Sequence, residues 1–253
     1  MQITPTSPAR DSTVAGERVV IIGGSSGIGL ATAEALATRG AHVVIGGRDR
    51  ARLDAAAQAV VAPPGALTTA VVDAADASAL AAFFERTGPF DHLVLTLSGG
   101  AGAGPLRTLD ARELRRGFEG KFWAQLNAAQ AALDTLRSTG SMTFVTAISA
   151  RMANAGTAGL AAINGALEAM IRPLAAELRP LRVNAVSPGV IDTPWWDSLS
   201  PADKDAAFSR YAAMTPVGRV GRPADVAGAI LLLLENAFMT GTILEVDGGL
   251  RFA

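Results

Sequence analysis

The chain contains no cysteine, which excludes disulfides, thiolate metal sites and a cysteine nucleophile. Its only histidines are His42 and His92, too few for a histidine-rich metal centre or an extended histidine relay. No metal site is expected. Lysine is almost as scarce: of 22 basic residues only Lys121 and Lys204 are lysines, and Tyr211 is the single tyrosine. With a net charge of −1 and basic residues that do not cluster, there is no electrostatic footprint for nucleic acid. The longest apolar run, Ala229–Leu234, is far shorter than a membrane span of ~20 residues. Residues 1–16 lack the apolar core of a signal peptide. These absences point to a cytoplasmic protein acting on a small molecule, away from membranes.

What remains is a chain of 253 residues, 49% apolar and 18% charged, enough to bury a large core. Residues 1–16 read as a flexible tail of prolines, serines and threonines without periodicity. From residue 17 to 253 short β-branched runs alternate with helical stretches. Strands are predicted at Arg18–Ile22, His42–Ile45, Leu67–Val72, His92–Thr96, Ser141–Thr146, Arg182–Val186 and Thr242–Val246. Helices are predicted at Leu30–Arg39, Asp49–Val60, Ser78–Glu85, Asp110–Gly117, Lys121–Arg137, Ala158–Leu178 and Ala224–Glu235, while 194–211 reads as irregular with helical patches. Strand–helix alternation of this kind implies right-handed crossovers and a parallel sheet with helices on both faces. The expected fold is therefore α/β: one doubly wound Rossmann-type domain with a seven-stranded parallel sheet.

The first strand–turn–helix unit carries a ligand signal. Gly23-Gly24-Ser25-Ser26-Gly27-Ile28-Gly29 follows a strand and opens a helix. Glycines there allow the backbone to approach a pyrophosphate, and the helix N-terminus neutralises it. Gly23, Ser25, Ser26, Gly27, Ile28 and Gly29 are the candidate phosphate-binding residues. Nineteen residues after Gly29 stands Arg48, where an NAD site usually places an acid. A guanidinium suits a 2′-phosphate, so NADP(H) is favoured over NAD(H), unless Arg48 merely pairs with Asp49 on the surface. Asp73, past the third strand, is placed to accept from an adenine amino group or to sit in solvent.

Three segments together resemble the short-chain dehydrogenase/reductase family: the glycine turn, Asn184-Ala185-Val186-Ser187-Pro188-Gly189-Val190-Ile191-Asp192-Thr193, and the ending Gly241–Gly249. The resemblance runs from Arg18 to Leu250. It implies that Pro188, Gly189, Ile191 and Thr193 border the nicotinamide, with the Ile191 backbone and the Thr193 hydroxyl on its carboxamide. It also implies a homotetramer or homodimer.

The resemblance fails where the family does its chemistry. The family moves its proton through a tyrosine with a lysine four residues on, a serine upstream and an asparagine on the preceding helix. Aligned on Asn164-Gly165-Ala166, Leu160 falls at the tyrosine and Asn164 at the lysine, and Tyr211 is followed at the fourth position by Thr215. Registering Gln130-Ala131-Ala132-Leu133 on the family helix puts Lys121 at the asparagine. Lysine and asparagine have exchanged places in this register. Ser149 is the candidate serine, with Thr146 as fallback, because Ser149 lies only 11 residues before Leu160. The candidate catalytic residues are therefore Ser149, Lys121 and Asn164.

Each has a plainer alternative. Lys121 could lay its stem on Trp123, and Ser149 could be a satisfied strand-end hydroxyl. Tyr211 could replace the missing acid from a lid. Trp195 and Trp196 could face a substrate or pack that lid, and Asp192 could cap a turn. The expected function is an NADP(H)-dependent reductase or dehydrogenase of a small apolar carbonyl or alcohol with an atypical proton path. The alternatives are a redox-silent cofactor-binding protein, acting as sensor or silent subunit, and non-redox chemistry in the same pocket.

Overall fold

The computed structural model describes residues 14–253, so most of the expected tail lies outside the described residues. Its last part does not hang free: Val14 is buried and the Gly16 N–H donates to the Gly40 carbonyl. Seven parallel strands form one sheet in the order β3-β2-β1-β4-β5-β6-β7. They are β1 Arg18–Ile22, β2 His42–Gly47, β3 Leu67–Val71, β4 Phe90–Leu95, β5 Leu136–Val145, β6 Arg182–Pro188 and β7 Ile243–Val246. The order reverses between β1 and β4, and ligands of open α/β sheets bind in the crevice beyond such a switch point.

Alternation along the central strands divides the core between two layers. Val20, Ile22, Leu93, Leu95, Met142 and Phe144 pack against α3 (Ala77–Thr87), α5 (Ala124–Ala132) and α6 (Ala158–Glu177). Val19, Ile21, Val43, Ile45 and Val186 face α1 (Gly27–Thr38), α2 (Arg50–Ala59) and α8 (Pro223–Glu235). Near-continuous apolar strands are what a sheet covered on both faces requires. Phe83, Phe84, Phe90 and Phe144 are fully buried, each worth about 1.5–3 kcal/mol by area removed from water.

Three expectations need correction. The helix expected over Lys121–Arg137 ends at Ala132, and β5 starts at Leu136, well before Ser141. The early part of β5 pairs with β4 through Phe90 and Leu136, then shifts register before His92 meets Ser141. Secondly, the region 194–211 is not irregular throughout. Pro201–Met214 forms a regular helix, α7, started by Pro201 and capped where the Asp203 N–H donates to Ser200 Oγ. Thirdly, Phe118–Trp123, between α4 (Ala111–Gly117) and α5, is a wide π-turn. Side-chain periodicity in sequence does not reveal such a turn, which is commonly found at functional sites.

Candidate active site

The C-terminal edge of the sheet opens on a cavity of about 450 Å³. Its floor is the turn between β1 and α1, with Gly23, Ser26, Gly27, Ile28 and Gly29 in the lining. Room here depends on absent side chains. A Cβ on Gly24 would meet Ile45 at 2.6 Å, and one on Gly29 would strike the Gly23 carbonyl and Thr96. The turn is therefore pressed tight against β2 and Thr96 while its N–H groups stay bare at the helix start. No acidic residue stands in the first turn of α1, so nothing there opposes an anion. A pyrophosphate fits this cradle.

Pro188, Gly189, Ile191 and Thr193 line the opposite wall, and the methyl side of Thr193 lies 3.2 Å from where a Gly27 Cβ would stand. The Ile191 carbonyl accepts from Trp196 Nε1 at 3.0 Å. Ser25 is outside the cavity lining and sits beside Gly47. Arg48 and Asp73 do not line the cavity either; both are exposed, Arg48 past the end of β2 and Asp73 past the end of β3. Arg48 makes no ion pair with Asp49, whose carboxylate instead caps α2 by accepting from the Arg52 N–H. Asp73 accepts from the Ala75 N–H in its own turn.

Lys121, Ser149 and Asn164 meet in the lining of this one cavity, together with Leu160. The π-turn delivers Lys121. Gly117 and Gly120 let this part of the chain press on the loop after β4, a Cβ on Gly120 coming within 2.9 Å of the Gly99 Cα. Lys121 Nζ then donates to the Thr146 carbonyl at 2.9 Å, while Trp123 lies exposed. The lysine is half-buried by area, but protein crowds its ammonium. Burial lowers its pKa from 10.5 to about 8, opposed by the negative charge of Glu168.

Asn164 is buried on α6 and donates from Nδ2 to the Leu160 carbonyl at 2.9 Å and to Ser149 Oγ at 3.1 Å. A carbonyl only accepts, so this contact fixes which way the amide faces. Ser149 Oγ, already accepting, has its proton available to donate. Asn164 Oδ1 is buried with no donor among the described residues. The hydroxyl of the fallback residue, Thr146, points away to Glu168 Oε1 at 3.0 Å.

Above the cavity, Trp195 and Tyr211 contribute to the lining. Trp196 also lines the cavity, and it packs edge-on against Trp195, Phe208 and Tyr211, which ties the lid together. Asp192 does not cap a turn as expected: it binds Lys204 Nζ at 3.1 Å and so ties α7 to the loop after β6. Several contributors were not expected from the sequence, Met152 and Asn154 among them. Arg52 lines the cavity from α2, and Glu168 lies buried behind Thr146. Glu168 had a signal, since with Asn164 it forms an i, i+4 polar pair within the apolar stripe of Ile163, Leu167 and Ile171.

A glycine cradle at the switch point of a seven-stranded parallel sheet, opening on a cavity lined by side chains, defines a nucleotide-binding Rossmann domain. The enoyl-(acyl carrier protein) reductase family matches residues 22–251, and the chain belongs to the short-chain dehydrogenase/reductase family, making it an oxidoreductase of that type. Galactitol 2-dehydrogenase (L-tagatose-forming) of Cereibacter sphaeroides is 34% identical over 92% of this chain and 94% of its own length. A small-chain dehydrogenase solved in complex with NADPH superposes with a TM-score of 0.80 at 32% identity, covering 94% of this chain and all of that one. The MalC reductase/Diels-Alderase of Malbranchea aurantiaca superposes at 0.87 with 28% identity, covering 97% of this chain and all of its own. Among the described residues no helix is long and apolar enough to cross a membrane.

Proposed function

We propose that the protein is an NADP(H)-dependent oxidoreductase of a small apolar carbonyl or alcohol in which Lys121, and not a tyrosine, carries the proton. One observation supports this above the others. In a chain whose Leu160 stands at the family's tyrosine, burial puts the only cavity lysine near pKa 8, where it can both give and take a proton at ordinary pH. The nicotinamide coenzyme, when bound, supplies or accepts hydride. The bare N–H groups of Ser26 to Gly29 hold its pyrophosphate, and the Ile191 N–H and Thr193 hydroxyl hold its carboxamide. Arg48, which has no ion pair among the described residues, would meet the 2′-phosphate at the end of β2. The NADPH-bound relative supports the same choice of coenzyme.

At the reacting end, Ser149 donates its free proton to the substrate oxygen and Asn164 fixes that hydroxyl in place. Protonated Lys121 gives a proton to the oxygen during reduction, and the neutral amine takes one during oxidation. Leu160, Met152 and Trp195 give the cavity apolar walls, which exclude water and favour an apolar substrate. Association into dimers or tetramers belongs to the same proposal; Trp123 and Leu133, beside the ends of α5, are 45% and 42% exposed.

The redox-silent alternative draws on the loss of the phenol at Leu160. The two readings separate in one experiment. Purified protein is titrated with NADPH and NADH by fluorescence, then offered diketones, quinones and aryl ketones while NADPH absorbance is followed. Turnover that vanishes in Lys121→Ala and persists at reduced rate in Ser149→Ala is the expected result. NADPH binding with no turnover on any carbonyl selects the silent reading, and turnover indifferent to Lys121→Ala removes the lysine from the mechanism.

A further inference from the structure

Behind the cavity lies a buried carboxylate that the proposed chemistry does not touch. Glu168, on the buried face of α6, is 9% exposed. Its Oε1 accepts from Thr146 Oγ1 at 3.0 Å and Ser187 Oγ at 2.8 Å, and its Oε2 from Arg151 Nε at 2.9 Å. Arg151 reaches on to Glu245 Oε1 of β7 at 3.0 Å. Three elements besides its own, the ends of β5 and β6 and the short turn Ile148–Ala150 with Arg151 after it, thus converge on one acid.

A carboxylate this enclosed is costly unless its lone pairs are met, and here three donors meet them. All three donors face it, and one is a guanidinium. The arrangement has a directional consequence. Thr146 is held by Glu168 at its hydroxyl and holds Lys121 at its carbonyl. One residue therefore joins the buried anion to the buried cation.

We propose that Glu168 is a positioning residue that fixes both the place and the charge of Lys121, acting through Thr146 and through the low-dielectric space between them. This rests on the reading of Lys121 as proton carrier. The charged groups in play are Glu168 on α6, Arg151 after the turn, Glu245 on β7 and Lys121 itself. Glu168 favours the ammonium; Arg151, drawn against Glu168, partly offsets it, and Glu245 in turn engages Arg151. The negative charge of Glu168 opposes burial in setting the Lys121 pKa.

The test reads Lys121 directly, because the chain has only two lysines. Acetic anhydride labelling across pH, followed by mass spectrometry of the Lys121 and Lys204 peptides, gives a midpoint for each, with Lys204 as internal control. Wild-type Lys121 should show a midpoint of about 8. In Glu168→Gln, which keeps an oxygen for Thr146 and Ser187, the Lys121 midpoint should fall by roughly one unit or more while Lys204 stays put. In Arg151→Gln it should rise. Should Glu168→Gln fail to fold, the exposed Arg151 site carries the test alone. An unmoved Lys121 midpoint in folded Glu168→Gln, or an unmoved or lowered one in Arg151→Gln, overturns the proposal. Labelling needs no turnover, so a wild type that oxidises no NADPH would refute the proposed reaction while leaving these midpoints to judge Glu168.

Discussion

The two ends of the same sheet treat buried polar groups in opposite ways. At the N-terminal end, His92 is buried with Nδ1 2.8 Å from Ser141 Oγ and Nε2 2.8 Å from Glu17 Oε2. Arg182 donates to the carbonyls of Leu233, Leu234 and Met239, knitting β6 to the end of α8. The Arg18 N–H is met by Asp91. Serine, histidine and a carboxylate in sequence are the residue types of a hydrolase triad, yet Ser141 is fully buried and no ester could reach it. At the C-terminal end, Ser149 has a proton to spare, Asn164 Oδ1 and Gln125 Oε1 lack donors among the described residues, and Lys121 is held short of its usual basicity. Saturated polar groups hold a fold; polar groups with capacity left over, beside a cavity, are available to a ligand.

Substitutions at the two ends should therefore separate activity from stability. The largest effect is expected for Lys121→Met, which should lower carbonyl reduction by roughly 10²–10⁴-fold. The same change should stabilise the protein at pH 7 by about 1–2 kcal/mol, because it removes a charge that folding must bury. The sign is set by the lowered pKa. Between about 8 and 10.5 the unfolded chain holds the lysine proton and the folded chain does not, so wild-type stability rises with pH there. Urea unfolding should show the two proteins converging over that window. Reduction by the wild type should fall, and oxidation rise, as pH passes through about 8.

At the other end, Arg182→Met strands the buried carbonyls of Leu233 and Leu234, while the Met239 carbonyl keeps its bond from Asn184 Nδ2, and should cost about 2–3 kcal/mol, with NADPH affinity unchanged. Equal loss of affinity and stability would show that the two ends are not separable. Arg48→Asp, back at the cavity end, should shift the ratio of NADPH to NADH affinity by roughly 10–100-fold with little change in melting temperature. An unmoved ratio would take Arg48 out of the coenzyme site. The smallest effect is expected for Ser141→Ala, about 1 kcal/mol of stability from the lost His92 partner and none on coenzyme binding.

Legibility followed the range of the forces involved. The βα alternation, the seven strands and the glycine turn are local signals, written in β-branched runs and in glycines at a strand end. The Ser149, Lys121 and Asn164 grouping was legible only through resemblance to a family, and the structure brings those three to one cavity. The π-turn was not legible, because Phe118–Trp123 has ordinary helical composition, and the wide turn occurs where Gly117 and Gly120 meet a loop nearly 20 residues earlier. Helix α7 was missed because two tryptophans and a proline precede it, although Ser200 and Pro201 do mark its start.

Length, the spacing of apolar residues and the placement of glycines were enough to dictate a doubly wound sheet with a phosphate cradle, since backbone geometry and hydrophobic burial act over a few residues at a time. The chemical character of the site was decided in three dimensions. Lys121 loses basicity, to about 8, only when a π-turn drives it under Thr146 and out of water, and a carboxylate from another helix, Glu168, limits how far it falls. Desolvation and charge proximity depend on distance through space, which sequence order does not encode.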